Sequence, residues 1–268
     1  MAEPFVRYQR DGKIVTLTMN RPAARNAIGS HQDCEDFVAA VQRAHDEAGV
    51  NCVILTGEGS AFSAGGDLKA MKARSGIGPM DLPDSTRANY KRGVQRIIQT
   101  LWNCEVPMIA AVNGHAIGLG LDLACICDIR IAADSARFAS SFIKVGIVPG
   151  DGGAWILPRA VGLSKASEMI FTGDTLDAAT ALSIGLVSRV VPAGELMPAA
   201  LELAGRIACN PARALRLAKR LVREGQQQRL SDVLELSAAF QALAHETEDH
   251  REAVDALLGK REPNFTGR

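Results

Sequence analysis

The chain has no excess charge of either sign: lysine plus arginine and aspartate plus glutamate each number 30 in 268 residues. A protein that neutralises many phosphates needs a cationic surplus, and none exists overall or as a long run, so no nucleic-acid partner is expected. No apolar stretch approaches the roughly 20 residues that cross a bilayer, so no membrane partner is expected either. The opening Met1-Ala2-Glu3-Pro4-Phe5-Val6-Arg7 lacks the basic-then-apolar form of a secretory signal. The six cysteines fall mainly within apolar segments, which fits reduced, buried thiols and a cytoplasmic setting better than a disulfide framework. Metal-ligand spacing is missing too. Cys125 and Cys127 are separated by one residue and have no companion pair, and His245-Glu246 is followed by His250 five places on rather than four. No GKS or GKT occurs, which excludes a P-loop, and Gly118-Leu119-Gly120 lacks the third glycine of a dinucleotide fingerprint.

What is present is ordinary globular composition, 47% hydrophobic and 22% charged, with length for one large α/β domain or a domain with a helical appendage. Strand-like runs at 5–9 and 14–19 flank Arg10-Asp11-Gly12-Lys13, a hairpin signal. Ser30 with Asp33 three residues on predicts a capped helix whose face carries Cys34, Phe37, Val38 and Val41. Continuous apolar runs at 50–55 and 108–112 predict strands buried on both faces, and further strands are predicted at 128–132 and 187–191. Residues 73–85, rich in Gly, Pro, Ser and Asp, read as a mobile surface excursion before one long amphipathic helix bearing Tyr90, Val94, Ile97, Ile98, Leu101 and Trp102. A short helix is predicted near 177–184. Beyond Pro192 the pattern is helical almost to the end, with segments at 199–209, 212–224, 230–246 and 251–258.

Two loops draw attention together. Ala64-Gly65-Gly66-Asp67 and residues 113–120 each follow a buried strand and lead into a helix, and Asp67 suits the N-cap of a helix starting at Leu68. The first N–H groups of a helix have no intrahelical partner, and the helix dipole favours negative charge there. Two such termini converging on one point make a pair of backbone donors for an oxyanion. The small Ser63, Ala64, Gly65, Gly118 and Gly120 leave room for a substrate to approach. Asp122, just inside the second helix, has two readings at this point: an acid or base in the same pocket, or an aspartate that merely complements the dipole.

The motifs Asn20-Arg21-Pro22 with Asn26-Ala27, Ala61-Phe62-Ser63-Ala64-Gly65-Gly66-Asp67-Leu68, Asn113-Gly114-His115-Ala116-Ile117-Gly118-Leu119-Gly120, Cys127-Asp128-Ile129-Arg130-Ile131-Ala132, Val148-Pro149-Gly150-Asp151-Gly152-Gly153, Phe171-Thr172-Gly173 and Lys260-Arg261-Glu262-Pro263-Asn264-Phe265 run in order along the whole chain. They resemble the enoyl-CoA hydratase/isomerase, or crotonase, superfamily. The resemblance implies an α/β fold built as a crotonase-like spiral of ββα units (1–192), followed by a helical C-terminal trimerisation region (193–268), assembled as a homotrimer or homohexamer. It implies an acyl-CoA thioester substrate whose coenzyme A enters with the substrate, so that no separate cofactor or metal is needed. The amides of Ala64 and Leu119 match the family's oxyanion donors. Ala24, Arg25, Asn26 and Ala27 match the loop along the nucleotide, and Ala61, Gly65, Gly66, Asp67 and Leu68 the stretch that binds adenine and pantetheine, with Gly118 beside the thioester. Lys69, Lys72, Arg74, Lys260 and Arg261 are further cations in reach of phosphates, with Arg25 the best match.

The family's hydratases use two glutamates. Asp122 stands at the first position, while the second falls at Phe142; Asp151, one place beyond the acid carried by several isomerases of the family, partly restores the count. It could equally cap a helix beginning near Gly152. The expectation is enoyl-CoA hydratase-type (hydro-lyase) chemistry through a stabilised thioester enolate. The alternatives are double-bond isomerisation by Asp122 and Asp151, or a catalytically silent acyl-CoA binder.

Overall fold

The computed structural model describes residues 3–268. Its first part repeats strand, strand, helix. β1 (Val6–Asp11) and β2 (Ile14–Met19) form the predicted hairpin around Gly12, whose φ of +55° suits a residue without a Cβ. They lead into α1 (His31–Asp46). Its start carries the capping box that Ser30 and Asp33 promise: Asp33 N–H donates to Ser30 Oγ (3.1 Å) and Ser30 N–H to Asp33 Oδ2 (2.9 Å), an arrangement that contributes about 1 kcal/mol.

The second unit is β3 (Cys52–Gly57), β4 (Ala61–Ser63), α2 (Leu68–Lys72), α3 (Pro83–Arg92) and α4 (Val94–Asn103). The third is β5 (Met108–Val112), β6 (His115–Ile117) and α5 (Leu119–Ile126). The fourth is β7 (Ile129–Ala133), β8 (Arg137–Ala139), α6 (Gly153–Val161) and α7 (Leu163–Thr172), after which β9 (Leu176–Asp177), α8 (Ala178–Ser183) and β10 (Arg189–Val191) complete the strands. Both strands of the first unit, the first strands of the next three and β10 assemble into a six-stranded sheet, β1-β2-β3-β5-β7-β10, parallel apart from the hairpin. The second strands of the second to fourth units and β9 form a four-stranded sheet, β4-β6-β8-β9. This is the α/β spiral of ββα units.

The central strands β3 and β5 of the large sheet are buried on both faces, which is why they read as unbroken apolar runs. Val53, Leu55, Met108, Ala110 and Val112 face a core shared with α1, α4 and α5, while Cys52, Ile54, Ile109 and Ala111 face the opposite way. That second face is covered by α9 (Leu196–Ala208) through Leu196, Ala200 and Ala204. α10 (Ala212–Glu224), α11 (Leu230–His245) and α12 (Glu248–Leu258) finish the chain. From Ala193 onward there are helices alone, as expected, but α9 belongs to the packing of the sheet.

An ion cluster with two buried cations and a partly exposed carboxylate pins α10 to the core. Lys219 Nζ (2.7 Å) and Arg223 Nη2 (3.1 Å) both reach the Asp128 carboxylate, which also accepts from Met108 N–H (2.8 Å). The Arg223 guanidinium also covers the Trp102 ring, 4.6 Å from its centroid, and Trp102 meets Trp155 of α6 edge to face at 4.9 Å.

Two expectations need correction. The long helix around Tyr90 is two, α3 and α4, divided at Gly93, whose φ of −98° and ψ of −110° break the helical path. Residues 73–85 run over the surface as expected, but the turn at 76–78 is anchored. Ile77 is buried, and Asn89 Nδ2 donates to Gly76 O (2.9 Å) and Gly78 O (2.8 Å), while Ile77 N–H donates to Gly29 O, so tertiary hydrogen bonds tie the turn down.

Candidate active site

The first loop is organised by Asn26, expected along the nucleotide but buried inside the loop instead. Its Nδ2 donates to Ala61 O (2.8 Å), Glu58 O (3.0 Å) and Phe62 O (3.2 Å), and its Oδ1 accepts from Arg21 N–H (2.9 Å). Ser63 Oγ donates to Asn26 O (2.8 Å) and accepts from Gly65 N–H (3.1 Å). The amides of the loop can then be accounted for one by one. Ala64 N–H donates to Arg25 O (2.9 Å), Gly65 N–H to Ser63, and Asp67 N–H to Ile28 O (3.1 Å). Among the described residues Gly66 N–H has no acceptor. The expectation for Ala64 is thereby corrected: its amide is already spent on a neighbouring segment, and the free donor lies two residues later. Asp67 caps α2 as expected, accepting from Lys69 N–H (2.7 Å) and Ala70 N–H (3.2 Å).

The second loop turns at Gly118, whose N–H donates to Ala139 O (2.8 Å) and whose φ of 54° and ψ of −121° suit glycine. Leu119 opens α5, so its amide has no intrahelical partner and, among the described residues, no other acceptor. Its side chain is fully buried in the core and so points away from any ligand on the amide. The two loops touch at Gly65. A Cβ there would stand 2.5 Å from Ile117 O and 3.2 Å from Leu119 N, so only glycine permits the approach. Two unspent amides, of Gly66 and Leu119, thus lie on adjoining loops.

Asp122 sits one turn into α5 and is buried, with Oδ2 lacking any hydrogen-bond partner among the described residues. Gly153 makes room for it: a Cβ there would lie 2.5 Å from Oδ1 and 2.7 Å from Oδ2. Burial, and then the charge of Asp151, push the Asp122 carboxyl well above the usual carboxylate range, against the opposing pull of the Gly153 amide. Asp151 is not a cap. α6 begins at Gly153 with Gly152 as its N-cap and no side-chain cap bond. The Asp151 carboxyl is instead buried, and desolvation raises it to about 7. Phe142, on the 3-10 turn Ser141–Val145, lies with its ring edge 3.6 Å from where a Gly118 Cβ would be. An apolar wall therefore occupies the place of a second acid.

The remaining candidates spread around this centre. Ala61 and the Gly65–Gly66 turn form the floor of the first loop, with Leu68 exposed at its end. Ala24, Arg25 and Ala27 belong to or follow the turn Pro22–Ala24; Arg25 adopts φ +51° with its side chain exposed, and its carbonyl holds Ala64. Arg74 pairs with Asp81, and Arg261 is held by Glu252 through two guanidinium nitrogens (2.6 and 2.7 Å). Arg261 is therefore engaged within its own chain. Gly153 is the functional position that sequence reasoning passed over; its only signal was a glycine doublet just after Asp151.

Paired free amides beside two desolvated carboxyl groups define a protein equipped to hold charge on a carbonyl and move a proton next to it. The chain belongs to the enoyl-CoA hydratase/isomerase family, whose model matches residues 9–268. It is 37% identical over 268 residues, 99% of either chain, to the crotonyl-CoA hydratase of Syntrophomonas wolfei. With the short-chain-enoyl-CoA hydratase of Clostridium acetobutylicum it shares 37% identity over 257 residues, 94% of either chain. The crystal structure of an enoyl-CoA hydratase from Bacillus anthracis superposes with a TM-score of 0.91 at 32% identity, covering 98% of this chain and 100% of that one.

Proposed function

We propose that the protein adds water across the double bond of 2-enoyl-CoA thioesters. The observation that carries this reading is the pair of buried carboxyl groups, Asp122 and Asp151, beside the unspent amides of Gly66 and Leu119. The thioester oxygen accepts from both amides, which hold the negative charge that develops as the β-carbon is attacked. Asp151, titrating at about 7, is substantially ionised at neutral pH and takes a proton from water as its oxygen bonds to the β-carbon. Asp122, whose carboxyl stays protonated because it is buried beside Asp151, gives its proton to the α-carbon as the enolate collapses back to the thioester. Passage of the proton from Asp151 back to Asp122 resets the pair. The Phe142 wall helps exclude other water and keeps both acids desolvated.

The relatives' hydratase names support hydration over double-bond isomerisation, which the same pair performs by removing a proton at the α-carbon and returning one at the γ-carbon. The test is to assay crotonyl-CoA hydration and 3-hexenoyl-CoA isomerisation with the wild type, Asp122→Asn and Asp151→Asn. Hydration that collapses in both variants supports the roles given. Turnover of 3-hexenoyl-CoA alone makes the protein an isomerase, and indifference of both reactions to both substitutions removes the assigned roles.

Self-association into trimers or hexamers is part of the same reading. Leu230, Leu234, Leu243, Leu257 and Leu258 leave large apolar side chains exposed on α11 and α12, which supports burial between copies and is checked by mass in solution. A cytoplasmic location is supported by six unpaired thiols, five of them buried.

A further inference from the structure

A cleft of 580 Å³ adjoins Asp151 and takes no part in the steps above. Arg87, Tyr90 and Lys91 of α3 line one side, Gln95 of α4 and the loop residues Ile147 and Val148 the other, with Gly150 between them and Asp151. The junction is tight: Gln95 Nε2 donates to Gly150 O (2.9 Å), and the Tyr90 ring lies 3.3 Å from where a Gly150 Cβ would stand. The Tyr90 phenol is pushed up by burial and by the charge of Asp151. Gly150, which lines the cleft, immediately precedes Asp151 in the chain.

The lining is unbalanced in charge. Arg87 and Lys91, four residues apart on one face of α3, are both cationic, and no acid lines the cleft. Among the described residues neither forms an ion pair. Like charges at this spacing repel, so the pair is poised for an anion that the chain itself does not supply. Resting on the hydratase reading above, we infer that the cleft receives the far end of an acyl chain that bears a terminal carboxylate, so that the preferred substrate is an ω-carboxy-2-enoyl-CoA. Arg87 and Lys91 hold the carboxylate, Tyr90 and Gln95 border the chain, and Ile147 and Val148 cover its methylenes.

The experiment compares two six-carbon substrates that differ only at the far end, 2-hexenoyl-CoA and the monothioester of 2-hexenedioic acid with coenzyme A. The wild type is expected to show the higher kcat/KM for the carboxylate-ended chain, with the preference shrinking as salt is raised. Arg87→Gln/Lys91→Gln is expected to lower the ratio of the two kcat/KM values by about tenfold, the scale of one or two charge-assisted contacts. Lys91→Glu lowers it further. The inference is overturned if the wild type shows no preference, or if the double variant leaves the ratio unchanged. An equal loss with both substrates also overturns it, because the cations then serve the phosphates of coenzyme A. If the wild type hydrates neither compound, the parent reading fails, and the inference is decided by affinity for the unreactive hexanoyl-CoA and adipyl-CoA. Tighter binding of adipyl-CoA that disappears in the double variant sustains it, and equal binding overturns it.

Discussion

Helix α5 has an aspartate near each end, one buried and one partly exposed, and the two are handled in opposite ways. Asp128, just past the C-terminal end, has both oxygens engaged, by Lys219 and Met108 N–H on one and Arg223 on the other. Asp122, in the first turn, is far more deeply buried and leaves Oδ2 unpartnered among the described residues, with another acid and the Gly153 amide nearby. A carboxylate with cations on both oxygens ties chain segments together and is not free to trade protons. One without a cation stores the cost of its desolvation as a high proton affinity, which is what proton transfer to carbon requires. The difference between structure and chemistry here lies in burial and partners together, since residue type and helix are shared.

Exchanging the two fates tests that contrast. Asp122→Asn is expected to lower hydration by about 10²–10⁴-fold while leaving the denaturation midpoint unchanged or higher, because an uncompensated acid is removed. Asp128→Asn should do the reverse. It strands Lys219, whose ammonium burial already disfavours, and Arg223, so a stability loss of about 3–5 kcal/mol is expected from urea titration, with per-site activity kept in the folded fraction.

The pH dependence sharpens the comparison. Asp151 titrates at about 7 in the folded protein against an ordinary 3.8, so between those values the folded state holds a proton that the unfolded chain has released. Stability therefore falls as pH rises through that window and levels off above about 7, by on the order of 4 kcal/mol, while hydration climbs with an apparent pKa near 7. Asp151→Asn should flatten this part of the stability slope; an unchanged slope assigns it to other groups.

Smaller effects concern the backbone. Gly118→Ala has room for its methyl group but not the conformation, so about 1–3 kcal/mol of strain is expected to re-aim the Leu119 amide and lower kcat by roughly 10-fold or more. Asp67→Ala removes a cap and should cost about 1 kcal/mol of stability with a modest rise in KM.

Features set by neighbours in the chain were legible before any coordinates. The hairpin at Gly12, the Ser30–Asp33 box, the Asp67 cap and the β5 run 108–112 each depend on residues within a few places of one another. The three-residue strands β4, β6 and β8 are too short for alternation to register, and Gly93 sits inside an apolar period that runs across it. The free amide was misplaced for a physical reason. Whether Ala64 or Gly66 keeps its N–H depends on the carbonyl of Arg25, nearly forty residues earlier, and no local pattern carries that pairing. The direction of Asp151 was equally invisible, because it follows from how the loop lies against α3 and α4.

The two tryptophans are the only ones in the chain, and they are in contact. Trp155 stands four residues after Asp151, beneath the Arg159 guanidinium, while Trp102 lies under Arg223 of α10. All indole emission therefore originates at one junction where the reactive loop, the central helices and the C-terminal segment meet. An unlabelled sample carries its own optical gauge of whether that meeting point is intact, so ligand entry beside Asp151 and loosening of α10 can be followed by a single intrinsic signal.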